Sequence, residues 1–144
     1  MKQADRKHIL IISRHYPAYG QIKKIQQEYG EDCLITLDNQ RFEGLEDVLG
    51  RYYAGSYDNL AIVAPKEIIA GLYLLGVCPL VLSTIVVPEG GEKKAGDFQK
   101  NDGPLLRPIV QKIININYDI NYQTIEDIET GVEEDEPIEE KNED

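Results

Sequence analysis

The apolar run HILII at residues 8–12 ends abruptly in Ser13, Arg14 and His15, three consecutive side chains able to do chemistry. Arginine offers a planar fork that grips phosphate oxygens at two points, and histidine changes charge near neutral pH and can carry a proton. A hydroxyl beside them adds an orienting donor. The trio suits a phosphodiester. It equally suits a solvated loop in which Arg14 and His15 pair with acids.

A second concentration is Ala64-Pro65-Lys66-Glu67, between an apolar run and a helical pattern. Free N–H groups at a helix start attract anions, and Lys66 would add positive charge there. The same tetrapeptide is also ordinary helix-opening chemistry, with Pro65 in the first turn and the lysine solvated. Ser83 and Thr84 sit within a later apolar run, where alternation of side chains lets only one of the two hydroxyls face a ligand. Of nine tyrosines, Tyr16 and Tyr19 lie nearest the Ser13–His15 cluster. They offer stacking surfaces for bases, or else edge the core.

Other chemistries find no support. Gly90-Gly91-Glu92-Lys93-Lys94 lacks the spacing and the Lys-Ser/Thr ending of a phosphate loop. No G-x-G-x-x-G follows the first apolar run, so neither NAD nor any other cofactor is expected. Cys33 and Cys78 stand in no metal-ligand spacing and are expected to be reduced, buried, small hydrophobes; no metal site is expected.

These groups need elements to hold them together. Residues 8–13 read as a strand buried on both faces, and Ile22, Ile25 and Tyr29 after Gly20 fall at helical spacing with Gly30 as the stop. Residues 33–37 read as a second strand, and 42–53 as a second helix with Phe42, Leu45, Val48, Leu49 and Tyr52 on one face. Residues 58–63 form a third strand, and a helix opens at Pro65 and ends near Gly76. Residues 77–87 supply a fourth strand, whose pairing starts after Pro79 or lies at an edge. The alternation predicts an α/β domain with a four-stranded parallel sheet, flanking helices and a ligand crevice beyond the carboxyl ends of the strands. Residues 88–104 read as a long mobile loop that could cover a site, and 105–122 as an additional strand or helix-strand unit.

The formal net charge is −11, but residues 126–144 carry eleven carboxylates against one lysine, leaving the rest close to neutral. One domain over residues 1–124 followed by an acidic, disordered tail over 125–144 is expected. The apolar run near the N-terminus is too short for a signal peptide or membrane span, which points to a cytoplasmic protein. Neither a membrane nor double-stranded nucleic acid is an expected partner.

The segments IISRHYP, IVAPKEIIAGLYLLG and LVLSTIVVPEG together resemble small CRISPR-associated proteins of type III systems, over residues 8–96. In that family a first strand ends in Thr/Ser-Arg-His followed by proline, and a third ends in a proline-bearing turn into a helix. Tyr16, inserted before the proline, and the extension past residue 105 depart from the pattern. The resemblance implies a Rossmann-like (CARF-like) fold and a homodimer with a cyclic oligoadenylate across its two-fold axis. It also implies antiviral defence by a ring nuclease that opens the messenger without metal. His15 and Arg14 would then be catalytic, with Ser13, Pro65, Lys66, Ser83 and Thr84 binding the ligand. A sensor or sponge that leaves the ring intact is the first alternative. A protein-interaction module that uses the acidic tail is the second.

Overall fold

The computed structural model describes residues 6–126. The first strand, β1 (His8–Ile12), lies inside the sheet, and all four of its aliphatic side chains are buried. Its neighbours β2 (Leu34–Asp38) and β3 (Asn59–Ile62) run parallel to it, and β4 (Leu80–Val86) runs parallel to β3. A strand covered on both faces must be apolar at successive positions, which is the physical reason for the unbroken HILII run. Ile9 and Ile11 face α1 (Tyr19–Tyr29), packing with its Ile22, Ile25 and Tyr29. Leu10 and Ile12 face the other way, toward Val48 and Leu49 of α2 (Leu45–Ala54) and Leu72 of α3 (Lys66–Leu74). On that face α2 and α3 approach closely: a Cβ added at Gly71 would lie 2.7 Å from a Leu45 methyl. Gly30 ends α1 at a φ of 109°, its N–H donating to the Gln26 carbonyl at 2.7 Å.

The four parallel strands are part of a larger sheet. β6 (Leu105–Asn117) runs antiparallel to β4, from Leu80 opposite Lys112 to Val86 opposite Leu106. β5 (Phe98–Gln99) and β7 (Asp119–Thr124) pair antiparallel with β6. The order is β2-β1-β3-β4-β6-β5 with β7 on β6, an α/β fold with a mixed sheet of seven strands and three helices. The long segment 105–122 is thus a β-hairpin, turning at Tyr118 with a φ of 68°. A register shift between Ile113 and Asn115 bends it. Ile113, Ile120 and Tyr122 thereby pack against Ile69 of α3 and Val81 of β4.

Several expectations are corrected. Cys78, expected to be buried like Cys33, is exposed: pairing of β4 begins after Pro79, as expected, at Leu80, which leaves Cys78 outside the strand, while Cys33 is buried. Phe42 precedes α2 yet still packs in its core cluster, with Gly44 at the helix boundary. Pro65 is the cap residue of α3, one position before the first turn. Residues 88–104 are not without structure: they contain β5, and Asp97 within them is locked to Arg107 of β6 by contacts of 2.9 and 2.8 Å. Ile125 is buried in the α1-side core, and its N–H donates to the Val110 carbonyl at 2.8 Å. Of the acidic tail expected over residues 125–144, residues 127–144 lie outside the described residues. No helix among the described residues is long and apolar enough to cross a membrane.

Candidate functional site

The chain leaves β1 toward α1 on one face and leaves β3 toward α3 on the other, so their connections diverge and open a crevice at the carboxyl ends of the strands. A cavity of about 820 Å³ lies there. That volume falls within the usual range for small-molecule sites, roughly 300–1,000 Å³. Arg14, Arg41 and Lys66 line it together with His15, and among the described residues no aspartate or glutamate does. Because residues 1–125 are close to neutral overall, a cation-lined cavity without acids is a local concentration of positive charge. Tyr16, Phe42, Phe98 and Tyr122 give it an aromatic lining. Tyr16 is 85% exposed, whereas burial pushes the Tyr122 phenol up from its ordinary value.

The loop after β1 is built to present Arg14 and His15. The Ser13 N–H donates to the Asp38 carbonyl at 3.2 Å, and the Val63 N–H donates to the Ile12 carbonyl at 3.1 Å, so both neighbours hold the strand end. The buried Ser13 hydroxyl donates to the His15 carbonyl at 2.7 Å and accepts from the His15 N–H at 3.3 Å. This local turn uses up Ser13 and swings the side chains of Arg14 and His15 into solvent, where neither side chain has a hydrogen-bond or ion-pair partner among the described residues. The loop is anchored at its far end by Gln21, only 7% exposed. Its Oε1 accepts from the Ala18 N–H at 2.9 Å, while its Nε2 donates to the carbonyls of Ser83 and Ile109 at 3.1 and 3.0 Å. One amide thus ties the loop, β4 and β6 together.

Of the residues singled out from sequence, Ser13, Arg14, His15, Lys66, Ser83 and Thr84 all line the cavity, and Pro65 does not. Ser83 and Thr84, neighbours within β4, both border it. Lys66 is not free: its Nζ lies 2.9 Å from Asp119 Oδ1 at the hairpin turn. Each partner holds the other charged, the Lys66 ammonium up and the Asp119 carboxyl down from their ordinary values. Tyr19 points away from this cavity, with the Lys23 ammonium 5.7 Å from its ring centre. His8, at the opposite end of β1, is engaged in the architecture: its Nε2 lies 2.7 Å from Thr36 Oγ1, and its ring meets the Tyr57 ring edge-on.

Gln21 and Arg41 were missed. Arg41 follows the carboxyl end of β2, and the argument that selected Arg14 at the end of β1 applies there equally. Gln21 had no such signal, since two of its three partners, the carbonyls of Ser83 and Ile109, lie 62 and 88 residues away. Among the described residues no three His, Cys, Asp or Glu side chains gather as metal ligands. No protein-family model, no curated protein and no solved structure matches this chain.

Proposed function

We propose that this cavity binds a cyclic oligoadenylate and that the protein opens the ring without metal, in a Rossmann-like, CARF-like homodimer of the type III CRISPR-associated kind. The observation that carries this reading is a switch-point cavity lined by three cations, a histidine and four aromatic rings, with no carboxylate among the described lining residues. A ligand that is polyanionic and aromatic at once matches both halves of that lining. The substrate brings its own nucleophile. A ribose 2′-oxygen attacks the adjacent phosphorus, the bond to the 5′-oxygen breaks, and the products are a 2′,3′-cyclic phosphate and a 5′-hydroxyl. Arg14 and Arg41 stabilise charge on the phosphoryl oxygens, and His15 moves the proton that the 5′-oxygen gains.

A second reading, binding without cleavage, is favoured by two observations. The Ser13 hydroxyl is consumed within its own turn, and Asp119 already engages Lys66, so fewer groups remain for the reaction than the sequence suggested. The protein-interaction reading depends on the tail and draws no support from the cavity. Incubating the purified protein with cyclic tri-, tetra- and hexa-adenylate in EDTA, with chromatography of the products, separates these readings. Linear products ending in a 2′,3′-cyclic phosphate are expected, and His15→Ala should slow cleavage roughly a hundredfold or more while leaving binding nearly intact. Rings retained but intact would mean a sensor or sponge. Rings neither bound nor cut would end both ring-based readings.

A further inference from the structure

A second groove, of about 1050 Å³, runs along the opposite flank of the loop that presents Arg14. Its walls are α1 on one side, and on the other residues 94–97 and the start of β6. Lys23, Lys24 and Lys94 line it; so does Arg107, whose charge Asp97 already satisfies. Lys23 meets only the face of Tyr19, and the Lys94 ammonium has no acid partner among the described residues. Glu31, Glu126 and the Arg107-bound Asp97 are the acids of the lining.

The described chain ends at this groove. Ile125 is held in the core, and the Glu126 carbonyl accepts from Gln27 Nε2 of α1 at 2.7 Å, so the backbone is delivered directly onto the groove wall. The eighteen residues that follow contain ten carboxylates and one lysine. A chain of that length can span up to roughly 60 Å, far more than the groove requires. Tethering gives it an effective concentration on the order of millimolar.

We propose that residues 127–144 dock on their own protein, in the groove between α1 and residues 94–97, with their carboxylates on Lys23, Lys24 and Lys94. The tail is then an internal counter-charge: it occupies positive surface next to the cavity and keeps long nucleic acids off it, whatever ligand the cavity takes. The attraction is between exposed charges and weakens as salt shortens the screening length.

Carbodiimide cross-linking of the full-length protein at low concentration, read by peptide mass spectrometry, tests this directly. Links from acids of residues 127–144 should concentrate on Lys23, Lys24 and Lys94 over Lys7, Lys66 and Lys112, and should fall about fivefold or more in 0.5 M salt. Lys23→Glu with Lys94→Glu should reduce the remaining links at Lys24 to a similar degree. Links spread evenly over all lysines would overturn the proposal. So would links that form only between differently isotope-labelled copies, which would make the occupant a second molecule's tail.

Discussion

Arg14 and Arg107 both lie at the end of the sheet where the parallel strands finish, yet they are engaged in different ways. Arg107 holds Asp97 through two nitrogens and the Glu92 carbonyl through one of them, and the Asp97 side chain is left only 1% exposed. Arg51 is similarly saturated, by Asp47, Asp38 and the carbonyls of Gln40 and Arg41. Among the described residues Arg14 has none of these contacts, although it follows a buried strand and borders a cavity that no described aspartate or glutamate lines. A guanidinium whose donors are all used is part of the architecture. One held at the rim of a cavity with its donors unused is available to an external anion.

The largest expected effect separates these two states. Arg14→Ala should weaken binding of cyclic tetra-adenylate by roughly a hundredfold, as loss of two charge-assisted hydrogen bonds implies, with no change in melting temperature beyond about 2 °C. Arg107→Ala should show the reverse pattern, a clear fall in melting temperature with less than about a tenfold change in affinity. Calorimetry and equilibrium binding on the two variants check both, and matching phenotypes would erase the distinction.

Next in size is Gln21→Ala. It leaves the carbonyls of Ser83 and Ile109 without that donor in a buried site, a cost of about 1–3 kcal/mol that denaturant unfolding would read. It also frees the Ala18 end of the Arg14 loop, so affinity should drop together with stability. Stability lost without affinity would mean that the loop holds its shape unaided.

The acid side of the comparison predicts a pH signature. Arg107 holds the Asp97 carboxyl down to about 2. Its folded value is therefore below the unfolded one, near the ordinary ~3.9. The stability it contributes is present in full above that ordinary value and is lost as pH falls toward 2. Melting temperature should decline between pH 5 and pH 2 less steeply in Asp97→Asn than in the natural sequence. The smallest expected effect is at the Lys66–Asp119 pair. Asp119→Asn should release the lysine to the cavity and tighten anion binding by on the order of fivefold or less, since exposed pairs are weak.

Much of this architecture is legible from local pattern. The period of apolar residues placed β1 to β4 and all three helices to within a few residues, because burial on one or both faces is a short-range requirement on composition. The same logic brought Arg14, His15 and Lys66 to one cavity, since each follows the end of a strand, and Ser83 and Thr84 border it from within β4. The antiparallel addition of β6 was not legible: INYDINY alternates as a strand does, but nothing local says which edge it joins or that a bulge bends the hairpin over α3.

By itself, then, the sequence determined which segments are strands and helices and which charged residues stand at strand ends, for these follow from neighbours a few positions away. The tertiary structure alone decided which cations are free. Asp119 meets Lys66 across 53 residues, and Gln21 meets Ile109 across 88. Pairing at such distances depends on where the hairpin and the sheet edge fall in space, which no local period encodes.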